Sequence, residues 1–115
     1  MSGAYSRSKG NRWERDVCRL LVDAGWQAIT SRNARGGAQM GVDVITDLPV
    51  CVEAKNQARM DLSGWLDQAV LQAEGSLAAV FVKRRQKPAE QAYVVMRADQ
   101  FLELCGKVVE VENAA

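Results

Sequence analysis

The chain of 115 residues predicts a single α/β domain in the order α-β-β-β-α-β-β, with one mixed central sheet flanked by helices. Three observations carry this. Two segments place apolar residues at helical spacing and end at glycine. Several short runs rich in β-branched residues are bounded by turn residues. One of these runs, Leu77-Ala-Ala-Val-Phe-Val82, is apolar throughout, as expected of a strand buried on both faces.

The elements follow in order. Trp13, Val17, Leu20, Leu21 and Ala24 form the stripe of a first helix over residues 11–24, stopped by Gly25. Residues 26–31 read as a strand. The basic, glycine-rich stretch from Arg32 to Gly41 reads as a loop. Val42–Thr46 and Val50–Lys55 are strands of a hairpin closed by Asp47, Leu48 and Pro49. Leu62, Trp65, Leu66, Ala69, Val70 and Ala73 outline a second helix ending at Gly75. After strand 77–82, a basic turn, Arg84 to Pro88, leads into strand 91–96. A short helix around Ala98–Leu104 follows, then a valine-rich tail that adds an edge strand or frays. Residues 1–8 and 112–115 are expected to be flexible.

Composition narrows the chemistry. With 48% apolar and 25% charged residues, the balance is that of a water-soluble domain. No apolar run reaches the ~18 residues of a membrane span, and the first residues lack the apolar stretch of a secretion signal. The expectation is a cytoplasmic protein with no membrane partner. The sequence has no histidine, which excludes imidazole-based triads and zinc sites. Cys18, Cys51 and Cys105 are odd in number and far apart, so they read as reduced core residues. No glycine motif opens a helix to cradle a nucleotide, so no small-molecule cofactor is expected. Catalysis is left to carboxylates, lysine, arginine or hydroxyls, assisted by a hard cation.

The net charge of +1 conceals a segregated pattern. Residues 1–40 carry seven cations against three acids, and residues 83–97 carry five against one. Residues 41–82 carry six acids against two cations. The pattern is either ordinary solvated surface or two phosphate-gripping edges around an acidic centre. On the second reading Arg7, Lys9, Arg12, Arg32 and Arg35 form one edge, and Lys83, Arg84, Arg85 and Lys87 the other.

The hairpin concentrates the acids. With a three-residue loop, Thr46 faces Val50 and Asp43 lies directly opposite Glu53. Such cross-strand partners have Cβ atoms about 5 Å apart, and like charges there repel without a counter-ion. A divalent cation turns the repulsion into a binding site. Alternation puts Cys51, Glu53 and Lys55 on one face of the strand and Val50, Val52 and Ala54 on the other. The competing reading is a Glu53–Lys55 ion pair on an exposed edge strand, worth ~1 kcal/mol or less. Glu14 sits beside the buried stripe of the first helix, either as part of a capping box begun at Asn11 or as a functional acid. Gln68 borders the stripe of the second helix, as a solvated flank or a phosphate contact.

These residues together resemble a known family. Lys9-Gly10 precedes Asn11-Arg-Trp-Glu-Arg15 at the opening of a helix. Asp43 stands between two valines, Glu53-Ala54-Lys55 lies within a strand, and Gln68-Ala69 lies on the next helix. The pattern, from about residue 7 to residue 96, resembles the PD-(D/E)xK nuclease superfamily, and within it the archaeal-type Holliday junction resolvases and their small viral and bacterial relatives. The usual proline before the Asp is Val42 here.

The resemblance implies a restriction-endonuclease-like core and a single nuclease domain over residues 1–115. It implies Mg²⁺, with Mn²⁺ as a substitute, held by Asp43, Glu53 and the backbone carbonyl of Ala54. Glu14 would act through water or a second ion. Lys55 would assist the attacking hydroxide, and Gln68 and Arg32 would contact the scissile phosphate. The implied activity is endonucleolytic hydrolysis of branched DNA, most specifically four-way junctions, leaving 5′-phosphate ends; the alternatives are another nuclease of the superfamily acting on flaps, single strands or duplex DNA, or a non-catalytic DNA-binding module on the same scaffold. The implied assembly is a homodimer. Phe101, Leu102, Leu104, Val108, Val109 and Val111 would either form its interface or close the core.

Overall fold

The computed structural model describes residues 3–31 and 43–114, with side chains described from Lys9 onward. Helix α1 (Gly3–Asp23) leads to β1 (Ala28–Thr30), β2 (Val44–Thr46) and β3 (Cys51–Lys55). Helix α2 (Leu62–Gln72), β4 (Ala78–Val82), a 3-10 turn (Ala89–Gln91), β5 (Tyr93–Val95) and α3 (Ala98–Ala114) complete the chain. The five strands form one sheet in the order β1-β2-β3-β4-β5. β3 and β4 are parallel, and the other neighbours are antiparallel. The α-β-β-β-α-β-β order and the mixed sheet are those expected from the sequence. Among the described residues, no helix is long and apolar enough to cross a membrane.

The sheet separates two apolar layers. On one face, Trp13, Val17, Cys18 and Leu21 of α1 pack on Val44, Val52, Ala79 and Phe81. The indole N–H of Trp13 donates to the carbonyl of Phe81 at 3.0 Å, so a large buried ring also satisfies its one polar atom. On the other face, Trp65 and Ala69 of α2 and Ala73 just after it cover Ala78, Val80 and Val82. Every residue of β4 is buried, which accounts for its unbroken apolar sequence.

The hairpin keeps the expected register. Val44 pairs with Val52, and continuing that pairing by one residue sets Asp43 against Glu53. The turn is anchored to the chain preceding β1. Asp47 Oδ1 accepts from the Gln27 N–H at 2.9 Å, and the Thr46 hydroxyl donates to the Gln27 carbonyl at 2.6 Å.

Several expectations are corrected. α1 begins at Gly3, not near residue 11, so Asn11 is inside the helix and cannot cap it. The capping-box explanation of Glu14 falls with it. β3 is the central strand, so Glu53 and Lys55 are not a surface pair on a sheet edge. The valine-rich tail neither adds a strand nor frays, because it continues α3 to Ala114. Phe101, Leu104, Val108 and Val111 recur at helical spacing, and that period outweighs the β preference of valine. Nor does this tail close the core: α3 has no buried residue, and only Leu104 packs partly against the first layer. Of the cysteines, Cys18 is buried, Cys51 is intermediate and Cys105 is exposed, so Cys105 is not a core residue.

Candidate active site

The site lies at the carboxyl end of β3, just before the first residue of β2. Cys51 N–H donates to Leu77, and Lys83 N–H donates to the Lys55 carbonyl. These odd-numbered positions of β3 serve the ladder to β4. Alternation turns the backbone groups of Ala54 toward β2 instead. There the Asp43 side chain replaces a ladder bond, its Oδ2 accepting from the Ala54 N–H at 2.9 Å. The Asp43 carbonyl in turn accepts from Ser31 N–H at 2.9 Å. Asp43 is therefore held at both its main chain and its carboxylate, beside the carbonyl of Ala54.

Glu53 is buried, at 9% exposure. Its Oε1 is buried and has no hydrogen-bond partner among the described residues. Burial in the protein is the largest cause of a carboxyl pKa pushed up to about 8. The neighbouring Asp43 charge and a hydrogen bond to Asp43 raise it further, Lys55 opposes the rise, and Glu14 adds to it. A buried carboxylate facing a second one is costly unless a proton or a cation neutralises the pair.

The donor set fits a hard divalent cation. Two carboxylates and the Ala54 carbonyl are all oxygen donors, and one carboxylate oxygen is buried with no partner among the described residues. Among the described residues no group of three acids or thiols is placed to hold one ion. Any ion here would keep several waters, as Mg²⁺ prefers. Cys51 shares the Glu53 face of β3, but burial and the Glu53 charge raise its thiol pKa, which argues against a thiolate ligand.

A pocket of about 530 Å³ opens beside the acids, lined by Lys9, Gly10, Glu14, Asp43, Ala54, Lys55 and residues 56–59. The structure thus brings together Lys9, Glu14, Asp43, Ala54 and Lys55, with Glu53 against Asp43. An adjoining groove of about 450 Å³ shares Lys9, Asn56, Gln57 and Ala58 and continues to Lys83 and Arg85. The two cavities form one path from the acids to the basic turn.

The other predicted residues are placed differently. Gln68 is exposed on α2 and does not line the acidic pocket. Arg12 is exposed on α1. Lys83 is tied into its own turn, donating to the carbonyls of Lys87 at 2.7 Å and Arg84 at 3.3 Å, and lies over the Trp13 ring. Arg84 donates to the Gln91 carbonyl at 3.3 Å and stacks over Tyr93. Both shape the turn, while Arg85 and Lys87 remain exposed. Arg32 and Arg35 lie outside the described residues, as does the side chain of Arg7.

Asn56, Gln57 and Arg59 also line the pocket, and none was among the residues expected there from the sequence. One signal was available: Arg59 is one of only two cations in the acidic middle block and follows Lys55 by four residues.

No protein-family model matches the chain, and no curated protein matches it. Among solved structures, the chain is similar to that of Archaeoglobus fulgidus Hjc, a Holliday junction resolvase from an archaeal hyperthermophile. The two share 21% sequence identity, over 84% of this chain and 98% of the archaeal one, with a TM-score of 0.49.

Proposed function

We propose that this chain is a Mg²⁺-dependent DNA endonuclease of the PD-(D/E)xK type, acting on four-way junctions as a homodimer. One observation carries the reading. Asp43 is docked on the Ala54 N–H, with the buried Oε1 of Glu53, which has no partner among the described residues, beside it and Lys55 in the same pocket. A structural role explains poorly why two acids are held together in the centre of a sheet.

Asp43, Glu53 and the Ala54 carbonyl would hold the Mg²⁺, with Glu14 reaching it through water. When bound, the ion supplies Lewis acidity to the phosphate and lowers the pKa of water. The chain's own groups do the rest. Lys55 Nζ donates to the attacking oxygen and offsets charge that develops on the phosphate. Lys9 and Arg59 contact phosphates at the pocket mouth, and Arg85 extends the grip along the adjoining groove. Gln68, being exposed, would serve only where DNA passes over α2. Contacts of this kind read backbone shape and not base sequence, which suits a structure-selective nuclease. Hydrolysis would leave 5′-phosphate ends, and Mn²⁺ would substitute for Mg²⁺.

The test is cleavage of labelled four-way junction, flap, single-stranded and duplex DNA with Mg²⁺, comparing wild type with Asp43→Asn. Paired symmetrical nicks in the junction alone, lost by at least ~10³-fold in the variant, are the expected result. Cutting of flaps or single strands instead would keep the site and replace the substrate. DNA binding without cleavage in Mg²⁺ or Mn²⁺ would overturn the enzyme reading in favour of a binding module.

A further inference from the structure

β3 and β4 run parallel, so their carboxyl ends open on the same side. The chain leaving β3 heads for α2 and the chain leaving β4 forms the basic turn. The groove of about 450 Å³ lies between these two departing segments. A crevice outside the carboxyl ends of parallel strands is where open α/β sheets bind ligands, and the volume is that of a small-molecule site. The groove shares Lys9, Asn56 and Gln57 with the acidic pocket, so a ligand here lies next to the acids.

Its lining suits more than a phosphate. Lys83 is already committed to two carbonyls and the Trp13 ring, which leaves Lys9 and Arg85 as the cations able to grip an anion. The remaining lining includes the amides of Asn56, Gln57 and Gln86 and the thioether of Met60. An amide sets a donor beside an acceptor, the pattern that matches a nucleobase edge. A thioether is soft and apolar, and it packs well against an aromatic ring.

Gln86 is kept in this lining against its backbone preference. Lys87 N–H donates to the Arg84 carbonyl at 3.2 Å, closing a turn whose third residue, Gln86, has φ of 59°. Glycine or asparagine is the usual residue there. Glu74 is the other described non-glycine residue with positive φ, and it lies just past α2, where a left-handed residue is an ordinary way to end a helix. Gln86 has no such explanation. Its turn is braced from within by the Lys83 bonds, by the Arg84 bond to Gln91 and by the Arg84–Tyr93 stack. Backbone strain that surrounding contacts maintain beside a groove is characteristic of a ligand site.

We propose that this groove receives one unstacked nucleobase of the strand being cut, beside the scissile phosphate, an assignment that rests on the nuclease reading of the acidic pocket. Met60 packs on the face of the base, and the Asn56 and Gln86 amides meet its edge. Lys9 and Arg85 hold the flanking phosphates. Unstacking costs least where pairing is already lost, so the groove favours a branch point over continuous duplex and adds a base contact to the backbone contacts.

The test places 2-aminopurine in turn at each position across the branch point of a four-way junction. Its fluorescence is read on binding of the full chain with Ca²⁺ in place of Mg²⁺, which keeps the strands intact. Cleavage in Mg²⁺ is measured on junctions carrying an abasic site at the same positions. One position beside the cut should brighten several-fold, and an abasic site there should lower kcat/KM about tenfold. Met60→Ala and Gln86→Gly should each diminish the brightening. Each should also lower kcat/KM at least about threefold on the intact junction and not on the abasic one. Met60 is half exposed and glycine suits the turn at residue 86, so neither change threatens folding. Brightening that both variants leave intact, or equal losses on intact and abasic junctions, overturns the proposal. Cleavage with no brightening at any position overturns it and keeps the nuclease reading. Variant-sensitive brightening without cleavage in Mg²⁺ or Mn²⁺ keeps the groove as a base site and overturns the nuclease reading, and failure to bind any junction overturns both.

Discussion

Glu53 and Asp99 are both carboxylates set beside another charged side chain, and they lie at opposite extremes of environment. Asp99 is fully exposed at the start of α3, paired with Arg97 and accepting from the Gln100 N–H at 2.8 Å. These partners lower its pKa, the Arg97 hydrogen bond most of all, and raise that of Arg97 in return. Glu53 is buried beside a second acid, and its pKa is pushed up to about 8 by burial first and by Asp43 next. The first pair is opposite in sign and solvated, the arrangement that folding favours locally at little cost or gain. The second is like in sign and desolvated, an arrangement that folding alone disfavours. Charge placed against stability in the middle of a sheet points to use, whereas charge placed with it on a surface does not.

The comparison sharpens most at Glu53. Glu53→Gln keeps the side chain's size and removes the buried charge. Cleavage is expected to fall by at least ~10³-fold, while the metal-free protein at pH 8 melts at a higher temperature than wild type. Lower activity joined to lower stability would mean that Glu53 is a structural residue after all. Strand cleavage and calorimetry on one preparation separate the two.

A pH series tests the same contrast with a smaller effect. Folded Glu53 holds its proton up to about pH 8, against an ordinary 4.5. Between those values the folded state binds more protons than the unfolded one, so this contribution to stability is lost as pH rises through the window. The metal-free melting temperature should decline by several degrees from pH 5 to pH 8. That decline should shrink in Glu53→Gln, and Mg²⁺ added at pH 8 should reverse it in wild type by taking the proton's place. Scanning calorimetry with and without chelator reads all three.

The smallest effect belongs to the surface pair. Arg97→Ala should leave both the melting temperature and cleavage within error at moderate salt. A marked loss would show that exposed charge matters here as much as buried charge, and would break the contrast.

Much of this was legible in the sequence because it depends on local period and covalent spacing. The apolar run 77–82 could only be a strand buried on both faces. The Asp47-Leu48-Pro49 turn set the register that brings Asp43 to Glu53, and Val44 paired with Val52 keeps it. The Glu53-Ala54-Lys55 alternation put both charged groups on one face of β3. These are properties of a chain with a two-residue repeat in strands and short loops between them.

Burial and facing were decided only by packing between distant segments. Nothing near Glu53 in the chain states that β3 is central; that follows from β4 joining it on the side away from β2. Asn11 and Glu14 read locally as a cap until α1 extended back to Gly3. The loop after Lys55 enters the pocket because α1 brings Lys9 and Gly10 to meet it. The period of α3 was present in its sequence, yet whether its apolar side turned inward depended on what the sheet had left to cover. α1 and α2 had already filled both apolar layers, so α3 could present its polar side to the body and leave Cys105 and its neighbours in solvent.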